Sequence, residues 1–561
     1  MKRPLRRIIL LAPLLVALAL SSCRDEPTPR ATTSIASPTA AAPAATPANT
    51  TTATTPADPA TAAVPTAGAS GTDMPAATGE APPTGVDPVA LPVPDPGLFD
   101  LGWQQRELFE VGLVDGDDAH RAALEGASVY HMDLQLSSDA TMLAGNQEVF
   151  YTNQEDVELH EIYLRLFPNL ADGRTTIHGV WINGQEVAPT FELRDSAMRL
   201  PLQPALAAGE SVVIKIDFEV EIPSEGGGNY GTFVFNRDIL ALAHFYPMIA
   251  VYDDEGWNLE IAPESGDVVY ADSSFYLVRL SAPAGMQLAA SGVEIEGGGD
   301  GERQLVTYAA GPARDFYIAG SAGFAVYSQQ VGDTVVNSYA FPELEPRARD
   351  VLQWSVAALQ TFNEQVGPYP YRELDVVTTP TLALGVEYPG IIAINMDLYD
   401  PQESRYPPVV LESTVAHEVA HQWFYAVIGN DQLDDPWLDE SLTQYATYLY
   451  FADTGSPGDA NGFRQSLVQR WQAVDGAEIP IGQPVAAYEG AEYSAIVYGR
   501  GPLFFETLAM EMGEDAFDAF LRDYYATFKW DIATPLSLQA LAEEHCACDL
   551  DTLFDAWVFG E

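Results

Sequence analysis

Lysine is almost missing from this chain of 561 residues: Lys2, Lys215 and Lys529 are the only three. Basic residues together number 26 against 80 acidic ones, for a formal net charge of -54. A surface that anionic repels phosphate backbones, which excludes nucleic acid as a partner. Cysteine is equally scarce, at three residues, too few to build a cysteine zinc site. Two of the three fall in His545-Cys546-Ala547-Cys548, where a local disulfide or two free thiols is expected. Long apolar runs are missing after residue 20, so no later segment is expected to span a bilayer. Disorder throughout is excluded too, because aromatics make up 11% of the chain and hydrophobic residues 47%. The length leaves room for several domains.

What is present at the N-terminus reads as an address. Lys2, Arg3, Arg6 and Arg7 precede an apolar run over 8–20, which is too short for a membrane helix and fits a secretory signal. It ends in Leu20-Ser21-Ser22-Cys23, which resembles the bacterial lipobox. The expectation is therefore a signal peptide over 1–22 and a lipidated Cys23 that anchors the mature protein to the membrane from the extracytoplasmic side. Residues 24–96 are mostly Ala, Thr, Pro and Ser and cannot bury enough surface to offset the entropy of ordering. Together with Cys23 they read as a disordered tether over 23–96.

The remainder changes character once. Over 97–322 the pattern is strand-like, most clearly in the strict alternation of Ile214, Ile216, Phe218, Val220 and Ile222 with charged neighbours. Ile162, Leu164 and Leu166 repeat it, and the glycine clusters at 226–228 and 297–299 read as turns. This is an antiparallel β domain with one packed and one solvated face. Over 323–561 the pattern is mixed, with a helix at 345–365, a short strand at 374–378, and helices over 408–428, 437–452, 502–512 and 515–527. The fold class is α+β, with a β domain followed by a mainly helical one.

The chemistry sits in the helix over 408–428, expected to open at Pro407-Pro408 and close at Gly429-Asn430. His417-Glu418-Val419-Ala420-His421 sets two imidazoles one turn apart, able to bind a single Zn²⁺, while Glu418 points off that axis and can serve as a base. Zinc chemistry needs a third protein ligand and an open position. A metzincin pattern is excluded because Phe424 and Val427 stand where its Gly and His belong. Glu440, with eighteen residues between it and His421, falls in the second helix, expected over 437–452 with an Asp as N-cap and Pro436 near its first turn. A turn and antiparallel return would bring its carboxylate to the two histidines. Carboxylates that accept the histidines' other ring N–H are expected to orient them, with Asp434, Asp435 and Asp439 available.

These residues resemble the M1 family of zinc aminopeptidases, the gluzincins related to leukotriene A4 hydrolase. The resemblance rests on His417 to Trp423, read as HEVAHQW, and on Glu440 within WLDES. The family's Gly-x-Met-Glu-Asn signature is represented by Leu384-Gly385-Val386-Glu387-Tyr388, which keeps the Glu but replaces the first Gly, the Met and the Asn. Tyr498-Gly499-Arg500-Gly501 matches a third element. The resemblance implies a thermolysin-like zinc peptidase domain after the β domain, one Zn²⁺ on His417, His421 and Glu440, and Glu418 as general base. It also implies Tyr498 as oxyanion donor, with Tyr493 its nearest competitor, and Glu387 with Gly385 at the substrate's free amine. His244 falls where the β domain would supply a further amine contact, against the plainer reading of a packed histidine. The implied partners are peptides with a free N-terminus. The alternatives are a zinc endopeptidase with an altered exopeptidase motif, or a degenerate surface-binding lipoprotein. The intact Glu418 counts against degeneration.

Overall fold

The computed structural model describes residues 102–114, 124–263, 266–400 and 406–560, together with Gly97 and Ser404. The signal peptide, Cys23 and the tether lie outside the described residues.

An eight-stranded sheet organises the first half. The strand Ser211–Glu221 is central to it, and Val212, Ile214, Ile216, Phe218 and Val220 are its buried face. Each such side chain, fully buried, contributes roughly 1.5–3 kcal/mol, so the period-two pattern fixes which face turns inward. The sheet is antiparallel with one exception: Val129–Leu136 runs parallel to Ser274–Pro283. The glycines at 297–299 are not a turn. They end the strand Val293–Gly299, paired with Arg303–Ala313, and the reversal falls at Asp300, whose Oδ1 accepts the N–H groups of Glu302 and Arg303. Edge pairing needs no buried side chain, which is why three exposed glycines can join the sheet.

A four-stranded sheet that includes Phe233–Asn236 and Ile239–Leu242 packs against the second half. Val234, Ile239 and Tyr317 share one hydrophobic cluster with Val377, Tyr388 and Ile391. The second half opens with a five-stranded sheet, in order Ala325–Val331, Thr334–Ala340, Glu373–Thr379, Ile391–Asn395 and Gly385–Tyr388. The last of these is an antiparallel edge strand.

The helical body comprises α1 (Glu345–Gln365), α2 (Pro408–Ala420), α3 (Glu440–Thr454), α4 (Pro457–Trp471), α5 (Gly501–Met512), α6 (Glu514–Thr527) and α7 (Pro535–Cys546), besides shorter turns. The sequence pattern announces neither α7 nor α4, and α4 is largely solvated. Capping boxes start them, at Ser456 with Asp459 and at Thr534 with Ser537.

Two expectations need correction. The helix expected over 408–428 stops at Ala420. Arg314, fully buried, donates to the carbonyls of Tyr425 (2.7 Å) and Val427 (3.1 Å), so this tertiary contact holds the following backbone in a turn rather than a helix. The next helix begins at Glu440 rather than 437, and its cap is Asp439, whose Oδ1 accepts the Glu440 N–H at 2.8 Å. Cys546 and Cys548 form a local disulfide at the end of α7. Among the described residues no helix is long and apolar enough to cross a membrane.

Candidate active site

The end of α2 and the start of α3 bring three donors together. His417 Nε2 lies 3.1 Å from His421 Nε2 and 3.1 Å from Glu440 Oε2, and His421 Nε2 lies 3.4 Å from the same oxygen. Ligands held at about 2.0–2.2 Å around one tetrahedral ion lie about 3.3 Å from each other, so the triangle fits a single Zn²⁺. The donor chemistry fits as well, with two imidazole nitrogens facing each other and a carboxylate between them. The shell behind them differs from the expected carboxylates. His421 Nδ1–H donates to the Phe424 carbonyl at 2.9 Å, which leaves Nε2 with its lone pair toward the triangle. The reversed backbone after α2 supplies that carbonyl. His417 Nδ1 has no hydrogen-bond partner among the described residues.

Glu418 is buried, and burial pushes its carboxyl well above the ordinary range, with Glu387 and Glu440 adding to the rise and His421 opposing it. Gly385 lies directly against it. A Cβ built there would stand 2.4 Å from Glu418 Oε1, so only glycine lets the edge strand pass this close to the carboxylate. Glu387, two positions along the same strand, is also buried. Its Oε1 accepts from Gln432 Nε2 at 3.1 Å, and the same amide nitrogen donates to Asp439 Oδ2 at 2.8 Å. Gln432 thus ties Glu387 to the residue that caps the ligand-bearing helix. Asp267 of the β domain faces the same group of acids, and burial with Glu387 and Glu440 nearby raises its carboxyl well above the ordinary range.

Tyr498 stands on a π-helical turn, Ile496–Arg500, and its hydroxyl donates to Glu440 Oε1. The widened turn has a local cause: the Gly501 N–H reaches back to the Ile496 carbonyl, and Pro502, next in line, has no N–H to donate. Tyr493 lies behind, 5.7 Å from Tyr498 ring to ring, so the ligand carboxylate is reached by Tyr498. Arg500 faces away from the site, donating to the carbonyls of Ile479, Ala556 and Trp557.

The structure therefore gathers His417, His421, Glu440, Glu418, Glu387, Gly385 and Tyr498 into one recess. His244 lines the recess beside Glu387, but its Nε2 is held by the buried Asp315 at 2.9 Å, the partner that also accepts from Tyr425. It is a packed histidine. Sequence reasoning missed Gln432 and Asp267, neither of which stands in a motif. Five carboxyl groups (Asp267, Glu387, Glu418, Asp439, Glu440) converge with few cations beside them, and such a group calls for a bound cation and a cationic ligand.

Residues 351–557 match the Peptidase family M1 domain. Among curated proteins the chain is similar to Aminopeptidase 2 of Candida albicans, 25% identical over 271 residues, covering 46% of this chain and 29% of that one. It is also similar to human Aminopeptidase N, 29% identical over 187 residues, 30% of this chain and 19% of that one. The chain spans less than a third of the length of these relatives. Among solved structures it is similar to an M1 zinc metallopeptidase from Deinococcus radiodurans, with a TM-score of 0.56 and 19% identity, covering 77% of this chain and 94% of that one. A mutant of that protein bound to a Tyr-Ser-Ala substrate superposes with a TM-score of 0.55 at the same identity and coverage. Residues 351–557 are therefore a peptidase family M1 domain, and the chain that carries them has the fold of M1 zinc metallopeptidases.

Proposed function

We propose that this chain is a zinc aminopeptidase that removes N-terminal residues from peptides, with one Zn²⁺ on His417, His421 and Glu440. The observation that carries the reading is the juxtaposition, in one recess, of that donor triangle, the buried Glu418 and the buried Glu387. The curated relatives, aminopeptidases by name, and the peptide-bound Deinococcus structure support it.

When bound, Zn²⁺ supplies a Lewis acid that polarises the scissile carbonyl and makes water a better nucleophile. Glu418 accepts the proton of the attacking water and passes it to the departing amine. Tyr498 is a neutral phenol, since burial and the neighbouring Glu440 raise its pKa well above the ordinary value. It can donate to the developing oxyanion. Glu387, oriented by Gln432, pairs with the substrate ammonium and so sets the distance from the chain end to the cleaved bond. Acetylation removes that charge and adds bulk. Loss of a charge-assisted hydrogen bond of about 1.5–3 kcal/mol alone gives roughly 10- to 150-fold, and with the added bulk the zinc-loaded protein is expected to cleave free-amine substrates at least ~100-fold better than acetylated ones. Glu418→Gln should keep the metal and lose turnover. Equal cleavage of both substrate types would refute the exopeptidase assignment in favour of an endopeptidase.

The cellular setting belongs to the same proposal. The lipobox-like segment ending at Cys23 supports an extracytoplasmic lipoprotein held at the membrane. Cys23→Ser should release the protein into the soluble fraction or block its processing, and a wild type that is soluble without detergent would remove the anchor from the reading.

A further inference from the structure

Beside the metal recess the β domain holds a cavity of about 490 Å³. Asn229, Tyr230 and Val268 line both this cavity and the recess with Glu387, so the two spaces share a wall. The rings confirm the adjacency: Phe167, in the cavity lining, lies 5.2 Å from His244, and His244 lies 5.9 Å from Tyr388, next in sequence to Glu387.

The described lining of the cavity is richer in basic side chains than the chain as a whole, with the Asp172 carboxylate behind it accepting the N–H groups of Gly227 and Gly228 at 3.0 Å. The lining carries Arg165 and Arg194 and, among the described residues, no carboxylate side chain, in a protein with 80 acidic and 26 basic residues. Arg165 ends the strand Leu159–Arg165 and is only 6% exposed. Its guanidinium lies over the Phe167 ring at 4.9 Å and donates to the carbonyls of Asn258 (3.4 Å) and Glu260 (2.9 Å). Its Nε has no partner among the described residues, and no carboxylate forms an ion pair with it. Burial lowers its pKa to about 10, which leaves the group charged at neutral pH. The Glu260 carboxylate lies near enough to act on this cation without forming an ion pair with it, so a guanidinium hydrogen-bonded to carbonyls alone keeps a desolvation cost that an anionic ligand would relieve. Arg194 stands exposed at the rim.

We propose that this cavity binds a carboxylate of the peptide substrate, with Arg165 at its wall and Arg194 at its rim. The inference rests on the aminopeptidase reading and names a substrate class for it. Because the cavity adjoins Glu387, the carboxylate nearest to hand is the side chain of an N-terminal Glu or Asp, held while Glu387 holds its ammonium. A carboxylate farther along a short peptide, its C-terminus included, has the same chemistry.

The test compares glutamyl-, glutaminyl- and leucyl-p-nitroanilide, and Leu-Gly-Gly with its C-terminal amide, on the zinc-loaded protein. Charge-assisted pairing should make kcat/KM for the glutamyl substrate at least ~10-fold higher than for the isosteric glutaminyl one. Arg194→Glu and Arg165→Gln should each bring that ratio toward one. Arg194 is exposed, so its variant keeps the test valid if Arg165→Gln folds poorly. A preference confined to Leu-Gly-Gly over its amide, and sensitive to the same substitutions, assigns the cavity to a downstream carboxylate. Ratios near one for both pairs in the wild type, or ratios unmoved by either substitution, overturn the proposal. Calorimetric titration with glutamate and with glutamine reads the same cavity without turnover. If none of the three p-nitroanilides is cleaved, the aminopeptidase reading falls, and tighter binding of glutamate still decides for the cavity while equal binding decides against it.

Discussion

Gly385 shows how much of the proposed chemistry depends on a single absent atom. The added Cβ of Gly385→Ala would lie 2.4 Å from Oε1 and 2.5 Å from Cγ of Glu418, so the whole side chain of the base must shift by about an ångström. Misplacement on that scale can cost about 100-fold in rate. The variant is expected to lose about that much in kcat while its zinc content, set by His417, His421 and Glu440, stays at the wild-type level. A wild-type kcat in Gly385→Ala would separate the strand from the position of the base. Gln432 works in the opposite sense, through a contact that is present. One amide nitrogen serves Glu387 and Asp439 together, so the group expected at the substrate amine and the cap of the ligand-bearing helix cannot move independently. Both acids can be picked out in the sequence, Glu387 by its motif and Asp439 by the ligand that follows it directly, but the glutamine that links them has no local signature. Its role follows only from where the chain folds back.

At the scale of elements, the parts that follow from local pattern are those whose causes are local. The helix α1 runs over Glu345–Gln365 as its apolar face requires, with Val351, Ala358 and Phe362 buried along one side. The end of α2 has a remote cause, the guanidinium of Arg314, more than a hundred residues upstream, and no periodicity in 408–428 could announce it. The same stop places the Phe424 carbonyl against His421, so the element that sequence reading extends too far is the one that sets the histidine's tautomer. The π-turn before α5 is intermediate: Pro502 is visible in the sequence, but the close approach behind it is not. A Cβ on Gly501 would fall 1.9 Å from Ser441 Oγ, and Ser441 in turn donates to the Val497 carbonyl at 2.6 Å. Gly501→Ala should therefore push α5 from α3, move Tyr498, and lower both kcat and the thermal midpoint. Unchanged values of both would show that Tyr498 is positioned by other contacts.

Across the whole molecule, the excess of acid predicts how stability responds to pH and to salt, and the two responses can be told apart. Surface carboxylates in a chain of net charge -54 repel one another, and about 1 M salt shortens the range of that repulsion to roughly 3 Å. Buried carboxyls are shielded from salt and act through their pKa. Asp375, in the strand Glu373–Thr379 and away from the metal recess, is buried, and desolvation raises its carboxyl to about 8, with Glu373 adding to the rise and Asn337 opposing it. A carboxyl whose folded pKa exceeds its unfolded value of about 3.9 binds its proton more tightly in the fold. Its contribution is thus fully present below that lower value and declines as pH rises through about 8, by at most about 1.4 kcal/mol per pH unit. Asp431 and Asp435, raised to about 6 and about 7 by burial, act in the same direction. Urea midpoints measured from pH 5 to pH 8 should therefore fall with rising pH, and a slope should persist in 1 M salt after surface repulsion is screened. Asp375→Asn keeps a partner for the Asn337 amide, which donates to Oδ1 at 2.9 Å, and cannot ionise. In high salt it should flatten the part of the slope that belongs to Asp375. A slope that disappears in salt for the wild type, or is as steep in Asp375→Asn, would place the pH dependence on the surface rather than in the core.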